Sequence, residues 1–149
     1  MELTEQQRAF LEQHRSAAMV TLRSDGPPHA VRVGIALLDG AIWSSGVPDR
    51  VRTRLLRRDP RCTFFVFGAG YGYLTLEGHV TILDGPDAPD LSVRLFRAMQ
   101  AGMQPGPPPG HLLWQGQALP LEAFRRAMVA EHRLIYRLEP ERAYGMPSA

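Results

Sequence analysis

The most constraining feature of the sequence is a series of turn signals that cuts its first third into three apolar stretches. Ala17 to Arg23 reads as one strand, His29 to Leu38 as a second and Ala41 to Ser45 as a third. The first two are separated by Ser24-Asp25-Gly26-Pro27-Pro28, where Asp-Gly supplies positive φ and the prolines cannot pair inside a sheet. Asp39-Gly40, between the second and third, is a two-residue hairpin signal. Strands joined by connections this short pair antiparallel, so the chain opens as a β-meander.

The remaining elements follow from similar punctuation. Thr4-Glu5-Gln6-Gln7 fits a capping box and opens a helix to about Gln13, with Phe10 and Leu11 as its apolar contacts. Gly46-Val47-Pro48-Asp49 breaks the sheet, and Asp49 is placed to cap a helix from Arg50 to Arg58, which Asp59-Pro60 ends. Cys62 to Phe67 is a strongly apolar strand, Gly68-Ala69-Gly70 a turn, and Tyr71 to Leu83 a long strand bent at Gly78. Leu91, Leu95 and Met99 have helical spacing within Asp90 to Gln100. Gly102 to Gly110, with four prolines, is a loop. A helix from Leu121 to His132 carries Leu121, Phe124 and Met128 on one face, and Leu134, Tyr136 and Leu138 alternate as a last strand. The expected architecture is mainly β with flanking helices: one domain over residues 1–149, built as a six-stranded antiparallel barrel with helices packed at its openings.

Composition removes several functions. The 149 residues suffice for one ordinary domain that needs no metal or disulfide to fold. Cys62 is the only cysteine, which excludes an internal disulfide and a cysteine-based metal cluster; the five histidines have no metal-ligand spacing. All 17 basic residues are arginine, and lysine and asparagine are both absent, the mark of a G+C-rich genome. Without lysine there is no Schiff-base or P-loop chemistry. A net charge of +2 does not indicate a reader of nucleic acid. The apolar runs are too short for a membrane helix and the acidic opening is not a leader, so a cytoplasmic protein is expected. Any anion site must be local and built from arginine forks or backbone N–H groups.

Two stretches fit that requirement. From Arg50 to Arg61, six of twelve residues are arginine. Arg57, Arg58 and Arg61 read as a solvated helix face paired with carboxylates. Ser45, Arg50 and Arg52, with Ser44 just upstream, stand at a strand-to-helix junction where hydroxyls, helix N–H groups and guanidinium forks make a phosphate site. On the second strand, Val31, Val33, Ile35 and Leu37 share one face; the other reads Ala30, Arg32, Gly34, Ala36. Small residues there let a flat ring lie against the backbone. A flat ring beside an anion site describes a flavin-type nucleotide. Tyr71 and Tyr73, flanking Gly72, are placed to wall a pocket.

The run from Asp49 to Arg61 resembles the helix of the pyridoxamine-phosphate-oxidase-like split β-barrel superfamily. Val20 to His29 resembles its opening hairpin, and Leu76-Glu77-Gly78-His79-Val80 its Glu-Gly strand. Phe124-Arg125-Arg126-Ala127-Met128 and Ala143-Tyr144-Gly145-Met146-Pro147 resemble the C-terminal helix and tail of the actinobacterial deazaflavin-dependent branch. The resemblance implies a homodimer with two cofactor sites at its interface, walled by Tyr71, Tyr73 and Tyr144 of the opposite subunit. It implies a flavin or deazaflavin whose phosphate is held by Ser45, Arg50 and Arg52, with Arg54 in support. The branch favours the deazaflavin F420 and hydride transfer to an activated C=C or C=N bond of a small organic substrate. FMN-dependent oxidase or reductase chemistry on the same fold is the alternative. A non-catalytic module for haem, a tetrapyrrole or the cofactor itself is the second, with His29 or His79 as the axial ligand haem would need.

Overall fold

The computed structural model describes residues 1–147; residues 148 and 149 of the expected domain lie outside the described residues. In chain order the elements are α1 (Glu5–Gln13), β1 (Ser16–Thr21), β2 (His29–Gly34), β3 (Ala36–Leu38), β4 (Ala41–Gly46), α2 (Val51–Arg58), β5 (Arg61–Phe67), β6 (Tyr73–Leu83), α3 (Ala88–Gln100), β7 (His111–Trp114), β8 (Gln117–Pro120), α4 (Leu121–Ala130) and β9 (Leu134–Met146). Seven strands form one antiparallel sheet in the order β2-β1-β5-β6-β9-β4-β3, and β7 and β8 form a separate hairpin.

The expected count of six strands is corrected to seven by one residue. Ile35 interrupts the stretch from His29 to Leu38: its N–H donates to the Arg15 carbonyl at 3.0 Å instead of to a neighbouring strand. Its side chain, 1% exposed, anchors the bend in the core. Upstream of the bend β2 pairs with β1, and downstream β3 pairs with β4. One stretch therefore supplies both edges of the sheet, which curls into a barrel. Among the described residues no ladder joins β2 to β4. They are linked by the Ser44 hydroxyl, which donates to the Gly34 carbonyl at 2.8 Å. Beyond that bond the barrel is split.

Side chains alternate across the wall. The pairings align Val31, Met19, Phe64, Leu76 and Ala143 as one inward row, and Arg32, Ala18, Phe65, Thr75 and Tyr144 as one outward row. The inward rows fill the barrel core, to which α1 adds Phe10 and Leu11 at one end and α2 adds Leu56 at the other. The capping box of α1 is present: Gln7 N–H donates to the Thr4 hydroxyl at 3.1 Å, and Thr4 N–H to the Gln7 side chain at 2.9 Å. Only two of the four helices close openings. The other two, α3 and α4, lie on the wall, packing Leu95, Phe96, Phe124 and Met128 against Ala36, Trp43 and Ile135 in a second core. The β7–β8 hairpin, not foreseen, adds Leu112 to that core; Gln115 and Gly116 at its tip take φ of 50° and 79°.

The long strand β6 carries the expected irregularity, a register shift between Glu77 and Gly78 against β9. The last strand runs well past Leu138, to Met146, because β6 offers it a partner along its whole length.

Candidate anion and cofactor site

The site begins where β4 ends. Gly46-Val47-Pro48-Asp49 carries the chain over the rim of the barrel into α2, whose N-cap is Arg50 and not the expected Asp49. No side chain caps this helix, so its first N–H groups keep their donors. Such an end favours negative charge. Two side chains seat the helix. The Thr53 hydroxyl donates to the Val47 carbonyl at 2.7 Å and accepts from the Tyr136 hydroxyl, which rises from β9 inside the barrel. Gly46 leaves the space Tyr136 occupies, since a Cβ there would overlap its hydroxyl and ring.

Arg52 projects from the flank of this helix with its guanidinium carbon 5.5 Å from the centre of the Tyr136 ring. Its Nη2 donates to the Ser45 carbonyl at 3.4 Å, while its buried Nε has no partner. The half-buried cation forms no ion pair with a carboxylate among the described residues. Burial, then the charges of Arg50 and Arg133, hold its pKa below the usual arginine value, with Tyr136 opposing. The Ser45 hydroxyl beside it is also buried and unpartnered. Buried polar groups are ordinarily satisfied. An uncapped helix end, a spare hydroxyl and an unpaired guanidinium are therefore gathered at one rim, a donor set that the phosphate of a flavin or deazaflavin would fit.

The structure joins Ser45 and Arg52 as expected and places Arg50 at the exposed rim next to them. It corrects two neighbours. Ser44 faces into the barrel, its hydroxyl committed to Gly34. Arg54 follows Arg52 by about 200° around the axis, at roughly 100° per residue, and projects from the opposite flank of the buried Thr53. The surface reading of the other arginines holds: Arg57 pairs with Asp84 at 3.0 Å, Arg61 with Asp59 at 2.8 Å, and Arg58 donates to the Leu22 carbonyl.

The residues expected beside a ring lie mostly on the outward face across the split. Ala30 and Arg32 are exposed there; Arg32 Nε donates to the Ser16 hydroxyl at 2.8 Å, and its guanidinium stands 5.9 Å from the Phe67 ring centre. Gly34 differs from expectation. Its missing Cβ is filled by the tip of the Met99 side chain from α3, so its smallness serves helix packing. Ala36, past the bend, is buried under the same helix. Tyr73 stacks on Phe65 with ring centres 5.1 Å apart, and Tyr71 is 92% exposed at the loop tip. The Tyr144 hydroxyl donates to Glu77 at 2.9 Å.

Sequence reasoning missed Tyr136, Thr53 and Gly46 as the residues that seat α2 and so support the candidate site. Each looks like an ordinary strand or helix residue, and their meeting depends on barrel closure. A groove of about 580 Å³ lies elsewhere on the outward face, between Val20, Thr63, Glu77, His79 and Arg142. It offers no unsatisfied donor comparable to Arg52. Cys62 reaches its edge, but burial pushes that thiol up to about 12. Cys62 is therefore expected to resist a thiol-specific reagent at pH 8 in the folded protein and to react once denaturant unfolds it; prompt native-state labelling would contradict this burial.

A curled antiparallel barrel, open along one seam and carrying unsatisfied anion donors at the rim of that seam, defines the chain as a split-barrel protein. It belongs to the pyridoxamine 5'-phosphate oxidase family, whose model matches residues 3–144. Solved structures agree in fold. A conserved hypothetical protein of Mycobacterium tuberculosis, Rv2991, superposes with a TM-score of 0.70 at 21% identity, covering 97% of this chain and 84% of that one. An F420 reductase superposes with a TM-score of 0.65 at 19% identity, covering 92% and 94%. A FAD-binding protein of Mesorhizobium loti gives 0.57 at 16% identity, covering 96% and 94%. No curated protein matches the chain in sequence. No helix of the described residues is long and apolar enough to cross a membrane.

Proposed function

We propose that this protein is a deazaflavin (F420)-dependent reductase acting on an activated C=C or C=N bond of a small organic substrate. The observation that carries this reading is the unpaired, half-buried Arg52 beside the unpartnered Ser45 hydroxyl at the split, in a chain of this family. When bound, the cofactor supplies the hydride. The chain's own residues bind and orient it. Arg52, Ser45 and the free N–H groups of α2 hold the phosphate, and Arg50 adds charge at the rim. Ala30 leaves room for a ring edge beside β2. Arg32 sets a cation on that face, which favours the ligand with more negative charge; the deazaflavin exceeds FMN here through its glutamate tail and readily ionised ring hydroxyl. The haem alternative has little support: His79 Nδ1 is engaged by Glu141 at 2.5 Å, and His29 is on the inward side of β2.

FMN is the second reading, because the same phosphate donors serve either cofactor. Competition titrations followed by absorbance separate the two. The deazaflavin is expected to bind more tightly than FMN, with a preference that shrinks at high salt as exposed charges are screened. Arg32→Ala should narrow the gap by weakening the deazaflavin more than FMN. Equal or tighter FMN binding by the unaltered protein would reject the deazaflavin reading and leave FMN in its place.

We also propose a homodimer. The outward face of β1, β5, β6 and the end of β9 leaves Phe67, Tyr71, Tyr144 and Met146 largely exposed around the Arg32 region, an apolar surface that a second copy would cover while completing each cofactor site. An interface above about 2,000 Å² in total is expected. A monomeric mass by light scattering at micromolar concentration would overturn it.

A further inference from the structure

On β4, β9 and β6 the last outward row before the rim is Ser45, Ile135 and Leu83, which lie side by side in the ladders. Just past that row each of the three strands supplies part of the wall of a cavity of about 460 Å³. Pro48 follows β4, Arg133 precedes β9 and Asp84 follows β6. Pro89 from α3 and Met128 and Val129 from α4 also line it. The cavity therefore stands on the same face and at the same end of the sheet as Ser45, whose carbonyl accepts from Arg52. Arg133 is two residues along β9 from Ile135, the direct partner of Ser45. Such diagonal neighbours are about 7–8 Å apart, within reach of a long side chain. The charge of Arg133 is also felt at Arg52.

The Arg133 side chain is held with one edge free. Its Nε and Nη2 both donate to a single oxygen of Glu131 at 3.0 Å, and its guanidinium carbon lies 4.8 Å from the centre of the Trp114 ring. Trp114 Nε1 donates to the other Glu131 oxygen at 3.2 Å, which ties the three side chains together. Among the described residues Arg133 Nη1 makes no hydrogen bond. Positive charge prevails around it. Arg125 and His132 line the cavity as well, and the one carboxylate among its lining residues, Asp84, is engaged by Arg57 at 3.0 Å. The proline, methionine and valine walls lower the local dielectric, which strengthens a charge-assisted bond made inside them. We propose that this cavity is a second subsite of the candidate anion site, taking a further negatively charged group carried beyond the phosphate of the same ligand, with Arg133 Nη1 as its donor. The proposal rests on the reading of Ser45 and Arg52 as the phosphate's receptor. A diphosphate and a phosphate ester bearing a carboxylate share this chemistry. FMN, with its single phosphate, lacks it. Because the second group is tethered to the first, its binding adds to affinity without a second loss of translational freedom.

Three probes test the subsite on the full chain by calorimetry: inorganic phosphate, pyrophosphate and phosphoglycolate. At least one of the two-group probes is expected to bind about tenfold or more tightly than phosphate, and Arg133→Gln to remove that gain while leaving phosphate affinity within about twofold. A gain with pyrophosphate alone identifies a diphosphate ligand, and a gain with phosphoglycolate alone a carboxylate; either supports the subsite. Arg54→Gln removes the same charge from the opposite flank of α2 and should leave the gain intact. The unaltered protein gives a second measurement, since Trp114 and Trp43 are its only tryptophans. Exchange of phosphate for the tighter probe should shift the Trp114 indole N–H resonance more than that of Trp43, and this holds even if Arg133→Gln folds poorly. No gain with either two-group probe, a gain that survives Arg133→Gln, an equal loss in Arg54→Gln, or an unmoved Trp114 resonance overturns the subsite. If phosphate binding is lost in Arg52→Ala while those results appear, the phosphate receptor stands and only the subsite falls. If Arg52→Ala binds phosphate as well as the parent, or the parent binds none of the three probes, both fall.

Discussion

Replacing Arg52 by alanine is expected to weaken binding of FMN or deazaflavin by about 1.5–3 kcal/mol, a loss of roughly ten- to 150-fold, because charge-assisted hydrogen bonds of this kind contribute that much. The same change should leave the melting temperature unchanged or raise it. Arg52 has no carboxylate partner to abandon, it is half-buried, and it lies close to Arg50 and Arg133, so its removal relieves desolvation and like-charge repulsion. Holding a cation in this position without a counter-charge is the kind of stability cost that binding sites carry. Arg52→Lys should recover part of the affinity through charge alone, though not the forked geometry. Titration of both variants with each cofactor, together with thermal unfolding, tests the pair of expectations. Unchanged affinity in Arg52→Ala would return α2 to a plain surface helix.

Gly46→Ala is expected to destabilise the protein by about 1–3 kcal/mol and to weaken cofactor binding in the same variant. The new methyl group would occupy the place of the Tyr136 hydroxyl and ring. Tyr136 has nowhere to retreat: it is fully buried, and its hydroxyl is held by Thr53 on α2. Relief by rotation would break that bond and lift the helix that carries Arg52. The effect should therefore be non-additive with changes at position 136. Tyr136→Leu alone removes ring and hydroxyl and is itself destabilising, but in its background Gly46→Ala should cost much less. Denaturant midpoints of the two single variants and the double variant measure this coupling. A cost for Gly46→Ala within about 0.5 kcal/mol, the range of ordinary surface substitutions, would show that the rim is slack.

Local signals in the chain were read correctly where the physics is local. The reciprocal cap at Thr4 and Gln7, the Asp39-Gly40 hairpin and the irregularity at Gly78 depend on residues close in sequence or on backbone freedom. The bend at Ile35 was not visible, since His29 to Leu38 reads as unbroken apolar alternation. What breaks it is a hydrogen bond to the Arg15 carbonyl, set by how the barrel curls. The short β7–β8 hairpin escaped notice because its apolar residues matter only against α3 and α4. At the site, Ser45 and Arg52 were legible as residue types suited to an oxyanion at a strand-to-helix junction. That Ser44 turns inward follows from alternation about the split, and that Arg54 turns away follows from where Thr53 is buried. The space beside Gly34 was misread, since a missing side chain says that something approaches closely without saying what; here it is Met99.

The place of β9 in the sheet has a consequence for how the molecule is made. It follows every other strand in the chain yet lies between β6 and β4, pairing with β6 at eleven positions and with β4 at five. During synthesis on the ribosome, β6 and β4 are complete long before the strand that joins them has left the exit tunnel. Until then both present unpaired edges, the kind of backbone that invites pairing with other chains. Among the described residues no strand ladder other than that of β9 joins the two halves of the sheet, which otherwise meet at the bend at Ile35 and the Ser44–Gly34 hydrogen bond, so the barrel closes after residues 134–146 emerge. A nascent chain halted before Leu134 should be protease-sensitive and prone to associate, and its solubility should depend on chaperones far more than that of the finished protein.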